Sequence, residues 1–548
     1  MPSPAPAVRA PIAGSHPLPA PGGALRWLGL ALLSGVLLAP LLLVDIPPLL
    51  DYPNHLARLF VIAHGAQDPH LAQFYETRWG VIPDLAIDIL FPPLLRVLPV
   101  YAAGRVMLAF VLLLGVAGVA AYSRAVFRQV RAWALASVLV AYNVAFLLGF
   151  LNFLISLGLA LGFAAAWIVW RERRPVASIA LGVAATSVLF FAHLMGVAFF
   201  CILVASSELE AVWRVWRGGG KAWRAFAVRT AMAAPLLIPP LVLYTFTKFH
   251  DTPALFEQSP WWMKAWQSLA GFIAYDFTLD MVSAALVYGA AALCLVLGRA
   301  RIAPQAVFAF ASLTVLFLLL PFGVKGTHWL DLRPAIMLTF LIFGGFTPVR
   351  LPWRTGRALG AGLALLFVVR MAAVASVWHA HQADIDEYRA IIDHIPPGSR
   401  VFVVDVTQDE APDYWRGGRP GRLMSIGRRL DFHIPAMILI ERRAFWPGLF
   451  ADPAQQPVVR RQPYDDLAQY FWTMPTHEQL VADPSLFGKF TCRADYILLT
   501  QAGADPHLAQ FGAGALDLVA ANDTAALFRV RAAETPCPLS STESRAPG

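Results

Sequence analysis

The sequence predicts a mostly α-helical polytopic membrane protein with a small α/β domain at its C-terminal end, on three observations. Of 548 residues, 58% are hydrophobic and only 14% charged, more apolar than a soluble fold of that size can bury. The apolar residues come in runs of the length needed to cross roughly 30 Å of hydrocarbon. Lys and Arg gather beside alternate runs, the pattern that fixes orientation in a bilayer. The net charge of +8 therefore reads as membrane topology, and no single basic domain suggests a nucleic-acid partner.

Residues 1–23 are rich in Pro, Ala and Gly and lack a signal-peptide cleavage pattern, so they read as a disordered cytoplasmic tail. The first span covers 24–44. Later spans fall near 101–122, 132–149, 152–170, 175–191, 194–212, 228–247, 281–298, 304–321, 333–348 and 357–378, about eleven in all. Arg124, Arg128 and Arg131, then Arg171, Arg173 and Arg174, then Arg214, Arg217, Lys221 and Arg224, then Arg299 and Arg301, then Arg350, Arg354 and Arg357 all fall on one side in a single threading. That side is the cytoplasm. It leaves a long outer loop at 45–100, shorter ones at 248–280 and 323–333, and residues 379–548 outside. The segment 82–98 would spoil the alternation as a crossing, so it is read as interfacial or re-entrant.

The terminal domain opens with the helical pattern DIDEYRAIIDHI, and Pro396, Pro397 and Gly398 lead into a strand at 399–406. Further strands are expected at 494–500 and 525–531, giving a small α/β unit. The stretch 407–490 mixes Pro, Arg and aromatics without a clear period. Of four cysteines, Cys201 and Cys294 lie in apolar runs and Cys492 and Cys537 in the terminal domain. None has zinc-site spacing. An outside location would let Cys492 and Cys537 pair, and two thiols in such a domain are as easily left free.

The first outer loop concentrates chemistry. VDIPPLLDYPNHLARLF places Asp45, Asp51, His55 and Arg58 directly after the first span. Pro53 suits the first turn of a helix, which puts Asp51 just before its N-terminus, with His55 and Arg58 on one helical face. A carboxylate there can take a proton from an attacking hydroxyl or share a divalent metal, while an arginine holds a phosphate. The plain alternative makes Asp51 an N-cap and Arg58 a headgroup anchor.

GVKGTHWLDLR adds Lys325, His328, Asp331 and Arg333, and TKFHDTP adds Lys248, His250 and Asp251. Each cation has an alternative as an interfacial, snorkelling side chain. Asp84 and Asp88 in PDLAIDIL, four apart, are read on one face of a helix, lining a polar cavity or the water interface. His193 falls where two spans meet at the outer surface, where a simple turn histidine is the other reading. Trp79, Trp261, Trp262, Trp266 and Trp329 suit an aromatic belt. No P-loop, dinucleotide fingerprint or nucleophile elbow is present.

These features together resemble the GT-C glycosyltransferases, polytopic enzymes that use polyprenyl-phosphate sugars as donors. The resemblance covers the architecture of the whole chain, with its acidic motif after the first span and its terminal outer domain. In residues it rests on Asp45 and Asp51 around DYPNHLAR, followed by PDLAIDIL. Family members commonly carry paired acids here, whereas this chain has Asp51 followed by Tyr52. That departure favours single-carboxylate base catalysis over a divalent metal such as Mg or Mn, and no residue is assigned as a metal ligand.

By the resemblance, Asp51, with Asp45 and His55, would serve transfer of a hexose or pentose from a polyprenyl phosphate, with inversion. Arg58, Lys248, Lys325, His328 and Arg333 would hold the donor phosphate, and Asp84, Asp88, His193 and Asp331 would line the acceptor side or cavity. The acceptor would be an extracytoplasmic glycolipid, polysaccharide or protein, and the site of action a bacterial inner membrane. The rival readings are a transporter or flippase for a lipid-linked glycan, an O-antigen-ligase-like or other polyprenyl-diphosphate transferase with its chemistry on a large later outer loop, and a membrane-anchored envelope binding protein. The two halves show no matched broken helices of the kind inverted-repeat transporters carry.

Overall fold

A computed structural model describes residues 23–248, 256–325, 327–405, 419–464, 493–500 and 516–531. The first apolar run becomes α1 (Gly23–Leu38), prolonged by a 3-10 turn at Ala39–Leu42. The chain then runs along one end of the bundle as α2 (Tyr52–His64), a short strand β1 (Tyr75–Thr77), α3 (Ala86–Leu90) and α4 (Pro92–Leu95). Residues 82–98 are thus two short helices interrupted at Phe91 and the following prolines, too short to cross.

From there α5 (Val100–Phe127) re-enters the bundle. After the short α6 (Ala132–Leu135) and α7 (Val144–Leu147) come α8 (Leu151–Trp170), α9 (Pro175–Ala192), α10 (Leu194–Arg217), α11 (Ala222–Ala233) and α12 (Ile238–Thr245). A two-residue strand β2 (Phe256–Glu257) and α13 (Trp261–Gln267) lead to α14 (Phe277–Val296). Strand β3 (Ala300–Ile302), α15 (Val307–Leu319), β4 (Gly323–Val324), α16 (Leu332–Gly345) and β5 (Phe346–Pro348) precede α17 (Trp353–Ile392).

Among the described residues, seven helical stretches are long and apolar enough to cross a membrane: α5, α8, α9, α10, α11 joined to α12, α14 and α17. Shorter apolar helices cover Trp27–Leu42, Pro304–Leu319 and Leu332–Gly345. Small residues let the central helices touch: a Cβ on Gly118 of α5 would lie 2.5 Å from the Gly158 carbonyl oxygen of α8. Close backbone approach of this kind drives helix association where lipid is as apolar as the side chains.

Two expectations are corrected here. Residues 132–149 do not form one continuous span. They break into α6, a 3-10 turn at Ala136–Val140 and α7. Asn143 causes the second break, because its side-chain oxygen accepts from Phe146 N while its amide donates to the Val140 carbonyl. Irregular backbone of this sort survives in a membrane only where protein covers it, and residues 137–149 are buried. The terminal domain, for its part, has no separate opening helix. α17 runs 40 residues without a break, about 60 Å at the α-helical rise, so the boundary set at 379 falls inside a helix.

Beyond α17, strand β6 (Val401–Asp405), α18 (Met437–Arg442), β7 (Val458–Arg460), β8 (Tyr496–Thr500), β9 (Leu516–Ala521) and β10 (Ala525–Val530) build the terminal region. The sheet order is β6-β8-β10-β9, with β6 parallel to β8 and the remaining pairs antiparallel. The three expected strands are present, and β9 is an addition. Alternation gives the sheet two faces. Val401, Val403, Leu498 and Leu527 pack on the main core, while Phe402, Val404, Ile497, Leu499 and Phe528 form a second cluster.

The first loop and the terminal region are one body. β1 pairs antiparallel with β7, Glu76 opposite Val459, and Tyr75 Oη donates to the Trp446 carbonyl at 2.7 Å. At the opposite end of the bundle, buried Arg171 meets Glu208 at 2.8 Å.

Candidate active site

The site grows from the start of α2. Asp51 occupies the N-cap position, but its backbone is already helical (φ −85°, ψ −11°) and its side chain makes no capping bond. A capping side chain needs extended backbone to reach the free amides, so the carboxylate has no structural duty there. The Asp51 backbone is clamped from behind by the turn after α7. Leu50 N donates to the Leu147 carbonyl at 2.8 Å and Asp51 N to Leu148 at 3.2 Å. Gly149 closes that turn at φ +82°, where a Cβ would stand 2.8 Å from Asp51 Cβ. Only glycine satisfies both the dihedral and the contact.

The Asp51 side chain, 19% accessible, faces His433, with Oδ1 3.4 Å from the ring Nε2. His433 stands just before a 3-10 turn at Ile434–Ala436 in the terminal region, and Asn54 holds it. That amide accepts from Phe450 N at 2.8 Å, donates to the Gly448 carbonyl at 2.9 Å, and lies 3.1 Å from His433 Nδ1. His55, one turn after Asp51, packs edge-on to Phe450. Burial first, then the charge of Arg58, hold the His55 ring well below its usual pKa, against the pull of the Gly149 carbonyl. It is therefore neutral near pH 7.

The second half of the site is cationic. Arg333, in the first turn of α16, is only 6% exposed. Its Nε and Nη1 are buried with no hydrogen-bond partner among the described residues. Its guanidinium sits 5.2 Å from the centre of the Phe150 ring, and its nearest opposite charges are Asp84 and Asp331. Phe150 adjoins Gly149, so Asp51 and Arg333 flank the same short turn.

Asp84 is accessible to solvent, yet surrounding protein strips water from its carboxyl and pushes the pKa up to about 7, against the pull of Arg58 and Arg333. His193 lies close by: Leu85 N donates to the Phe191 carbonyl, and His193 caps α10 by accepting from Met195 N at its Nδ1. That bond leaves the ring proton on Nε2.

The other sequence-selected residues have different surroundings. Asp84 and Asp88 do not share a helix face, because Asp84 precedes α3 at φ +80°. Asn152 fixes this bend by donating to the Asp84 carbonyl and accepting from Ile87 N. Asp88 is instead buried against Arg58. Asp45 meets Arg105 and Arg389 at 3.5 and 3.3 Å, tying α5 and α17 to the first loop. Asp331 is a fully buried hub that accepts from Ser259, Lys264 and Gln267. Lys325 follows β4, which pairs with β2, and His328 lies 3.3 Å from Glu257. Lys248 is exposed. His250, Asp251, Cys492, Cys537, the tail 1–22 and much of 407–490 lie outside the described residues.

His433 is the residue that sequence reasoning passed over. Its segment, LDFHIP, shows neither helical nor strand period, and a histidine beside Asp431 and Pro435 gives only a weak signal. Among the described residues no three His, Cys, Asp or Glu side chains converge as metal ligands.

Fold and site together define a multi-pass membrane protein in which a terminal region packs on the first loop beside a carboxylate, imidazoles and a buried guanidinium. No protein-family model matches the sequence, and no curated protein does. Among solved structures, the chain is similar to the crystal structure of ArnT from Cupriavidus metallidurans bound to undecaprenyl phosphate, at 14% identity and a TM-score of 0.49. The likeness covers 92% of this chain and 98% of that one. The chemistry of the present site rests on its own side chains.

Proposed function

We propose that the chain is a membrane glycosyltransferase that moves a sugar from a polyprenyl phosphate to a hydroxyl of an extracytoplasmic acceptor. The observation that carries this reading is the pair of groups flanking the Leu148–Phe150 turn: an uncapped, accessible Asp51 and a buried Arg333 with unsatisfied donors. A buried guanidinium with two donors unsatisfied is costly, and an anionic ligand relieves that cost. A phosphate presented from the bilayer has the right charge and geometry for it.

In the reaction the acceptor oxygen attacks the anomeric carbon and its proton passes to Asp51. The bond from that carbon to the phosphate oxygen breaks, and the electron pair leaves on the polyprenyl phosphate, with inversion. The leaving group is already a weak base, so it needs charge stabilisation from Arg333 more than it needs an acid. The basic residues at the opposite end of the bundle support an orientation with this site and the terminal domain outside an inner membrane.

Purified protein should bind undecaprenyl phosphate, and Arg333→Met should weaken that binding at least about tenfold without lowering thermal stability, since it removes an unsatisfied buried charge. In a panel of undecaprenyl-phosphate-linked hexoses and pentoses, Asp51→Asn should abolish release of undecaprenyl phosphate. Equal binding by Arg333→Met and the unaltered protein, or undiminished release by Asp51→Asn, overturns the reading.

A further inference from the structure

We infer that the terminal domain supplies a positioning residue to the transfer site: His433, reaching across from the sheet domain, orients the Asp51 carboxylate through its Nε2–H. This deepens the reading of Asp51 as the base and rests on it.

The direction of the interaction follows from Asn54. Its carbonyl oxygen is committed to Phe450 N and one amide hydrogen to the Gly448 carbonyl, so the amide cannot be turned over without setting like groups against each other. The second amide hydrogen then points at His433 Nδ1, 3.1 Å away, and that nitrogen must accept. A neutral imidazole with an accepting Nδ1 carries its proton on Nε2, the atom facing Asp51 Oδ1 at 3.4 Å. The ring cannot swing away, because it is 3% exposed and set edge-on to Phe450 and Trp446, with centroids 4.9 and 6.2 Å off.

At 3.4 Å the two atoms approach without meeting hydrogen-bond geometry in this structure, and the bond is one that forms when substrate tightens the site, as catalytic contacts often do. With Oδ1 turned toward His433, Oδ2 is the atom presented to the acceptor hydroxyl. The proton balance is simple. The acceptor proton moves to Asp51 Oδ2 and later to water, while the His433 proton stays on Nε2 throughout, since Nδ1 is held by Asn54 and cannot pass one on. The arrangement also makes activity depend on the docked domain: Asn54, Gly448, Phe450 and His433 lie on both sides of one interface, and transfer fails when it opens.

The test uses the full-length protein in detergent, with the same donor panel. His433→Phe keeps ring volume and removes both nitrogens, and should lower kcat on the order of 10- to 100-fold with little change in KM, as misplacement of a base does. His433→Gln, which restores an N–H donor, should recover part of the loss, and His433→Phe should add nothing to Asp51→Asn. A purely structural His433 would instead give matching losses in both single variants and a lowered melting temperature.

Normal turnover by a folded His433→Phe, with Asp51→Asn inactive, sinks the role of His433 and spares Asp51 as base. Normal turnover by Asp51→Asn sinks both. Independently of any donor, 15N-histidine spectra should show one ring with its proton on Nε2 whose signal disappears in His433→Phe and shifts in Asp51→Asn. A ring protonated on Nδ1 overturns the inference.

Discussion

Arg58 and Asp88 form a two-pronged ion pair, Nε to Oδ1 at 2.7 Å and Nη2 to Oδ2 at 2.9 Å, with both side chains almost wholly buried. The pair locks α2 to α3 and so fixes the segment that carries Asp84. Breaking it from one side leaves a buried charge without its partner. Asp88→Ala should therefore cost about 3–5 kcal/mol of stability, read as a lowered melting temperature in detergent. Replacing both, Arg58→Met with Asp88→Leu, should recover most of that, because an apolar pair of similar volume is near neutral. A stable double variant that no longer binds undecaprenyl phosphate would show instead that Arg58 holds the phosphate directly.

Gly149 offers a sharper test of how the Asp51 backbone is held. Gly149→Ala forces a side chain into left-handed backbone and against Asp51, and should cost about 1–3 kcal/mol from the dihedral alone. Turnover should fall further than stability explains, because the added methyl displaces Asp51. Gly219 is the control: it has φ +75° with nothing within 4 Å of a built Cβ, so Gly219→Ala carries the same strain at the far end of the bundle. Its turnover should stay normal. Equal loss in both variants would remove Gly149 from the site.

Hydropathy and charge made the bundle legible, since a span is a local property of some twenty residues. The same signal could not tell a crossing helix from the broken stretch at 132–149, because both are apolar and only Asn143 marks the break. Nor could it show that α17 continues past His379, since a helix satisfies its own backbone whether lipid or water surrounds it. The acidic loop was legible as a cluster, but its partners were not. Arg58 finds Asp88 thirty residues on, and Asp51 finds His433 across almost four hundred. Contacts of that separation leave no trace in local pattern, and a lone sequence carries no other.

The carboxyl of Asp84, raised to about 7 by desolvation, gives the site a pH dependence whose sign can be worked out. An unfolded chain releases this proton near the ordinary aspartate value, so between roughly pH 4 and 7 the folded state holds more protons than the unfolded one. This residue's contribution to stability is therefore full below pH 4, declines as pH rises through 7, and is constant above. Asp84→Asn removes the titration, so the variant should gain in melting temperature relative to the unaltered protein at pH 8 and show no such gain at pH 4. The same ionisation sets a negative charge beside Arg333 and works against an incoming phosphate. The ratio of undecaprenyl phosphate affinities, variant over unaltered protein, should then rise from pH 6 to pH 8, a comparison in which the lipid's own titration cancels. A ratio that stays flat over that interval would place Asp84 away from the phosphate, and a stability gain at pH 4 equal to that at pH 8 would show that desolvation does not hold its proton.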